Sequence, residues 1–315
     1  KAVEFTQKYG AEAQGSIVYT QSPIHSNQSF IQKAKKLVDS GIDSLCIKDM
    51  AGLLTPFTAY DLITELKNEI SIPIEMHSHN TAGLAFMTYL KSVEAGVDII
   101  DTAISPFSSG TAQPTTETMA AAFAGQAYDP DLNTKKLSKI GDYFREVRKD
   151  YQEYLSSFEV DPRIIINQLP GGMLSNLRNQ LKEQQHLDKM DQILAEIPSV
   201  RKDLGYPPLV TPSSQIVGTQ ATFNVITGEK YRFVSNEFKN YLRGMYGRPP
   251  GEINQDLIEK IISKSEIITN RPADNLEPLF VKTAAEISDF TNSEEDVLSY
   301  ILFPEVAEKF LKEKN

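Results

Sequence analysis

A chain of 315 residues, 40% of them hydrophobic and 23% charged, can bury a sizeable core and has the composition of a soluble globular protein. Its net charge of −10 and pI near 5.1 argue against nucleic acid as a main partner, though not against a local pocket for an anion. One cysteine, Cys46, rules out an intrachain disulfide; no stretch of about 18 apolar residues offers a membrane span, and no signal peptide opens the chain, so the cytoplasm is the expected compartment.

Lys1 to Phe5 begin without an initiator Met or a helix cap, as though a helix were entered partway, and an upstream segment is expected. From there to about residue 105 one unit recurs. Gln14–Thr20 reads as a strand, and the helix from about Gln28 sets Phe30, Ala34, Leu37 and Val38 at helical spacing, with Gly41 past its end. Asp43–Lys48 is the next strand. Pro56 then opens a helix with Phe57, Leu62, Ile63, Leu66 and Ile70 along one side. Ile72–Asn80 is a short apolar strand, followed by a helix from about Ala82 to Glu94, Gly96 and the strand Val97–Thr102.

Alternating βα units with nearly continuous apolar strands predict a parallel sheet covered by helices. Lys48, Asp49, His77, His79, Asn80 and Thr102 all fall at or just beyond a strand's C-terminal end, where (β/α)8 barrels and open α/β sheets place their sites. Four such units are half a barrel and would leave sheet edges open, so the other half is expected before Lys1.

Beyond Gln113 and Pro114 the periods become helical: Asn133–Phe158, Gln180–Ile197, Asn236–Tyr246, Asp256–Lys264 and a last helix through Phe310. Leu169–Met173 and Val210–Gln215 read as Gly/Pro-containing loops, and Arg248–Gly251 as a rigid turn. Residues 1–125 and 126–315 are therefore the expected domains.

The chemistry concentrates in the histidine strand. Side chains alternate along a strand, so His77 and His79 share a face and Ser78 leaves it; two imidazoles a pleat apart can grip one metal ion, or simply cap the strand as polar residues. Lys48 ends the neighbouring strand. A neutral amine there can add carbon dioxide to give a carbamate ligand, while a charged one would pair with Asp49 or bind a substrate carboxylate. Ser108, Ser109 and Thr111 could lend hydroxyls, Gly83 and Gly110 allow close backbone, and Met50 and Phe57 are read as packing.

Ile47-Lys48-Asp49-Met50-Ala51-Gly52-Leu53-Leu54 and Met76-His77-Ser78-His79-Asn80-Thr81-Ala82-Gly83 resemble the carboxyltransferase domain of biotin-dependent enzymes. That family includes pyruvate carboxylase and its carboxyltransferase subunit, the transcarboxylase 5S subunit and the oxaloacetate decarboxylase α subunit. Pro170-Gly171-Gly172-Met173 with Asn176-Leu177, and Val210-Thr211-Pro212-Ser213-Ser214-Gln215-Ile216-Val217-Gly218, extend the resemblance in order along the chain.

The resemblance implies a (β/α)8 TIM barrel, its C-terminal half in this chain, followed by an α-helical funnel domain. It implies a divalent metal (Zn, Mn or Co) held by a carbamylated Lys48 with His77 and His79, and biotin carried on another domain or chain. Thr211 would shuttle a proton between the biotin ureido nitrogen and the enolate of pyruvate, with Ser214 and Gln215 beside it in the biotin site. A hydroxyl suits that task because it both donates and accepts.

The family's Arg-Asp motif on the first barrel strand, its substrate-binding arginine and glutamine, and an Ala-Met-Lys-Met biotinyl motif are absent from this sequence. Gln215, where many pyruvate carboxylases have lysine, and Ile216–Thr219 look more like the oxaloacetate decarboxylase α subunit. The expected function is biotin-dependent carboxyl transfer between oxaloacetate or pyruvate and biotin. The alternatives are pyruvate carboxylase working in the carboxylation direction, a metallolyase or acyl-CoA condensing enzyme on the same barrel, and an inactive scaffold fragment. Expected partners are a biotinyl carrier domain, the upstream half-barrel, membrane-bound decarboxylase subunits that would hold the protein at the inner membrane, and a second copy in a homo-oligomer.

Overall fold

The computed structural model describes residues 1–152, 160–183, 185–289, 291 and 293–314. After a short helix, α1 (Ala2–Lys8), four strands lie side by side in sequence order, all parallel: β1 (Gln14–Val18), β2 (Ser44–Asp49), β3 (Ile74–Ser78) and β4 (Ile99–Ile100). The crossovers are α2 (Asn27–Asp39), α3 (Pro56–Glu69) and α4 (Ala85–Glu94). Local signals start the first two. Ser26 Oγ accepts from Ser29 N while Ser26 N donates in return to Ser29 Oγ, and Thr55 accepts from Thr58 N with Pro56 in the first turn.

The two faces of this sheet differ in chemistry. Leu45, Ile47, Ile74 and Met76 face the helices and join Phe30, Ala34, Leu62, Ile63, Leu66 and Tyr89 in one buried core. Alternate positions, paired as Ser16 with Cys46, Cys46 with Glu75 and Lys48 with His77, form the opposite, polar face. Parallel strands whose residues alternate between an inner face and a face covered by helices are those of an α/β TIM barrel, which is the fold class of this chain. Cys46 is a buried thiol whose pKa is pushed up to about 12, chiefly by burial.

The strand read as Val97–Thr102 shrinks to Ile99–Ile100. Beyond it, the backbone pairs across to a single residue: Ala103 N donates to Pro114 O (3.0 Å) and Thr116 N to Ala103 O (2.9 Å), a one-residue fourth parallel pairing at Thr115. Next come α5 (Thr116–Phe123) and α6 (Thr134–Lys149). The helix read as reaching Phe158 is described to Lys149, and positions 153–159 lie outside the described residues.

The rest is helical: α7 (Ile164–Asn167), α8 (Gly171–Glu183), α9 (Met190–Asp203), α10 (Ser213–Thr227), α11 (Asn236–Leu242) and α12 (Gln255–Ile261), around Leu181, Ile193, Ile197, Val200, Val217 and Phe238. Last come α13 (Phe280–Glu286), α14 (Glu294–Leu302) and α15 (Pro304–Lys314), with a small core of their own at Ile287, Val297 and Leu311. Three sequence readings are corrected here. Gln180–Ile197 is not one helix: Gln185 turns left-handed (φ 61°), and His186 N reaches back to Leu181 O (2.8 Å), closing α8 before α9 begins. The Leu169–Met173 loop becomes helix from Gly171, and the Val210–Gln215 loop from Ser213. The 15-residue α10 has no apolar stripe to betray it, because Ile216, Val217, Gly218, Gln220, Ala221, Thr222 and Asn224 are buried around it.

Candidate active site

The site begins with Asp49 and Ser78, which face away from it. The Asp49 carboxylate is fully buried on the helix side, accepting from Leu53 N (2.9 Å), Leu54 N (2.8 Å) and Ser78 Oγ (3.1 Å). Burial pushes its pKa up and those hydrogen bonds pull it back. Lys48 and Asp49 therefore lie on opposite faces, and the Lys48–Asp49 pair considered from sequence is not formed. Lys48 stands directly across from His77, and its side chain makes no hydrogen bond or ion pair among the described residues.

His77 and His79 converge as their spacing predicts, with ring centroids 5.1 Å apart. The Nδ1–H of His77 donates to Asp101 Oδ2 at 2.6 Å, and that of His79 to the Thr111 carbonyl at 2.5 Å. A carboxylate and a carbonyl can only accept, so each ring carries a proton on Nδ1 and, as a neutral imidazole, presents an Nε2 lone pair; the two Nε2 atoms face each other at 3.2 Å. Two nitrogens bound about 2.0–2.1 Å from one tetrahedral cation sit about 3.3 Å apart. The pair thus fits a metal as two of its ligands. Among the described residues no group of three His, Cys, Asp or Glu side chains is arranged to hold one, so the remaining donors must be of another kind or come from elsewhere. The pKa of His79 is held below its ordinary value, chiefly by burial, against the opposing pull of the Thr111 bond. The Asp101 carboxyl is held low by the hydrogen bond from His77.

Two close approaches shape the mouth. Gly52 (φ 68°) lies against the His79 carbonyl, where a Cβ would sit 2.4 Å from the oxygen. Gly171, the first residue of α8, comes so near the strand-end loops that a Cβ would meet Thr111 Cγ2 at 2.7 Å and Thr81 Cγ2 at 2.9 Å. The second helical region therefore closes over the loops beside His79. A cavity of about 840 Å³ lies between, and its walls include Met50, His79, Thr111, Thr211, Ser214 and Gln215. Thr211 and Gln215 are exposed into it and Ser214 is buried at the start of α10, with its N–H on Val210 O (2.8 Å).

Met50, read as packing, lines this cavity, and Phe57, read likewise, is 75% exposed at the start of α3. Ser108 spends its hydroxyl on Ser105 O and Thr115 Oγ1 and is structural. Sequence reasoning passed over Asp101 and Gln113, whose amide donates to His77 Nε2 at 3.3 Å. Asp101 could have been found: it follows an apolar strand at its C-terminal end, in the same place as Lys48 and His77 on theirs. Gln113 carried no such signal.

Residues 1–143 match the HMGL-like family and residues 164–315 the conserved carboxylase domain. The chain is 54% identical over 316 residues to a pyruvate carboxylase subunit of Methanocaldococcus jannaschii, covering 99% of this chain and 56% of that protein. It is 43% identical over 320 residues to the methylmalonyl-CoA carboxyltransferase 5S subunit of Propionibacterium freudenreichii subsp. shermanii, covering 99% and 63%. The carboxyl transferase domain of Rhizobium etli pyruvate carboxylase with pyruvate and biocytin matches with a TM-score of 0.92 at 26% identity, over 98% of this chain and 56% of that one. The chain thus spans a little over half the length of the curated relatives it matches. No helix among the described residues is long and apolar enough to cross a membrane.

Proposed function

Because the chain belongs to the carboxyltransferase family of biotin-dependent enzymes, we propose that it transfers a carboxyl group between oxaloacetate or pyruvate and biotin, at a divalent cation held by His77, His79 and Lys48. One observation carries the reading: His79, from the barrel, and Thr211, Ser214 and Gln215, from the helical region, line the same cavity. At about 840 Å³ it falls in the range of small-molecule sites and leaves room for two reactants at once. In this reading residues 1–125 supply the cation site and residues 126–315 the wall that receives biotin.

A bound cation would supply positive charge to offset the enolate that forms when the carboxyl group leaves or arrives. Biotin, brought on its carrier domain, would carry the carboxyl group, taking it from oxaloacetate or giving it to pyruvate. The chain's own work is orientation and proton transfer. His77 and His79 hold their rings in fixed tautomers, with Nε2 facing inward. The Thr211 hydroxyl takes the proton leaving the methyl carbon of pyruvate as it gives its own to the ureido nitrogen, and reverses both transfers in the other direction. Ser214 and Gln215 flank it on the first turn of α10. Gln215 and Ile216–Thr219 resemble the oxaloacetate decarboxylase α subunit, while the same residues serve both directions of transfer. The match of residues 164–315 to the conserved carboxylase domain supports carboxyl transfer over a metallolyase or condensing enzyme, neither of which needs a biotin-receiving region.

The test is decarboxylation of oxaloacetate with added biotin by the full-length protein. Biotin-dependent release of carbon dioxide is expected from the wild type, and its absence would overturn the proposal. Thr211→Ala is expected to lose at least about a hundredfold in rate with cation content unchanged, and Thr211→Ser to keep part of it. A Thr211→Ala enzyme within about threefold of wild type would make this loop structural.

A further inference from the structure

A neutral imidazole has one proton and two nitrogens, and only the unprotonated nitrogen can bind a cation. For His77 the choice is made from outside its own strand. Asp101 lies just past the end of β4, and its Oδ2 meets His77 Nδ1 at 2.6 Å. The contact is partly sheltered, with the imidazole 19% and the carboxylate 38% exposed. On the other side of the ring the Gln113 amide donates to Nε2 at 3.3 Å, consistent with a lone pair there. His79 obtains the same tautomer differently, from the Thr111 backbone carbonyl. A side chain can be removed by mutation and a carbonyl cannot, so the two rings can be tested against each other.

We propose that Asp101 is the positioning residue for His77: its carboxylate holds the proton on Nδ1, fixes the ring plane from the neighbouring strand, and so presents Nε2 toward His79. Asp101 does not face the point between the two Nε2 atoms; it acts through the histidine. The inference deepens the proposed function, because it rests on His77 being a ligand.

The experiment uses the full-length protein stripped of metal and labelled with ¹⁵N at histidine. Long-range ¹H–¹⁵N spectra report the tautomer of His77 without any metal, with His79 as the internal control. The wild type is expected to show the Nδ1–H form at both residues. Asp101→Ala is expected to shift His77 toward the Nε2–H form while His79 stays put, and Asp101→Asn, whose amide oxygen can still accept, to restore the wild-type pattern. Cobalt(II) titration is then expected to show affinity about 10- to 100-fold weaker for Asp101→Ala, with Asp101→Asn in between. An unchanged His77 tautomer in Asp101→Ala overturns the inference, as does a wild-type His77 protonated on Nε2. If Asp101→Ala fails to fold, Asp101→Asn is compared with Asp101→Leu by the same spectra. Loss of cobalt binding in the wild type would instead overturn the cation reading, and the tautomer spectra would still decide the role of Asp101.

Discussion

Arg201 on α9 donates from Nη2 to the hydroxyl of Thr20, just past β1, at 2.8 Å across 181 residues of sequence. The same buried guanidinium donates to Gln21 O (3.0 Å), Gln168 Oε1 (2.5 Å) and Pro207 O (2.9 Å). Every acceptor is neutral, so the charge is stabilised by hydrogen bonds alone, and burial brings its pKa down to about 10, still charged at neutral pH. This one side chain fastens the helical region to the rim of the barrel, on which the shared cavity depends.

Arg201→Leu is expected to cost about 3 kcal/mol of stability, since four acceptors lose a charged donor at once. Arg201→Lys should recover little of it, because one ammonium cannot span four diverging acceptors. Urea unfolding monitored by circular dichroism measures this; a Leu variant within about 0.5 kcal/mol of wild type would show the fastening to be dispensable.

His77→Ala and His79→Ala are each expected to lose the divalent cation and carboxyl transfer together. Elemental analysis of the purified full-length variants is the measurement. Full occupancy in both would remove the two histidines from the ligand set.

Lys48→Arg cannot form a carbamate, yet it keeps a positive charge opposite His77. In the full-length protein equilibrated with ¹³C-labelled carbon dioxide, a carbamate carbon signal is expected in wild type and absent from Lys48→Arg, along with loss of metal-dependent activity. A variant as active as wild type counts against the carbamate.

His25 provides a pH test away from the site. Its Nε2 is buried without a partner while Nδ1 meets Ser22 Oγ at 2.6 Å. Burial first, then the charges of Lys33 and Arg201, bring its pKa down to about 4. Between about pH 6.5 and 4 the unfolded chain therefore binds a proton that the folded one refuses, and stability falls as pH drops through that window. Above the window both states are neutral, and below it both are protonated. After allowance for partial solvent exposure the loss is about 1 kcal/mol. A His25→Gln protein should lack that share of the slope when melting temperatures are compared across pH; parallel curves would refute it.

Much of the βα region was legible because its signals are local. Apolar runs, the Ser26 and Thr55 caps and Pro56 fix elements within a few residues of themselves, and alternation alone assigns His77 and His79 to one face, which Lys48 joins only through the register of β2 with β3. What escaped depends on surroundings. α10 is buried on all sides, so no stripe marks it as a helix. The pairing of Ala103 with Thr115 is one residue long, too short for any period. Thr211 entered only through the resemblance, since nothing in its own residues points to His79; the cavity between them is made by folding. Asp101 was missed because only the alignment of β3 with β4 makes an aspartate beyond a strand the partner of a particular ring.

The division of β2 and β3 into a chemical face and a structural face has a consequence for how this protein can vary. Lys48 and His77 differ from Asp49 and Ser78 by one position each, yet the first pair lies on the polar face of the sheet and the second is hydrogen-bonded into the core. A single residue inserted or deleted within either strand would exchange these roles and bring the buried carboxylate into the site while driving an imidazole into hydrocarbon. Substitutions here can be graded in effect, but changes of length cannot. In a library of single-residue insertions, residues 44–49 and 74–79 should be nearly empty of survivors, whereas the exposed turn at 125–133 should accept them freely.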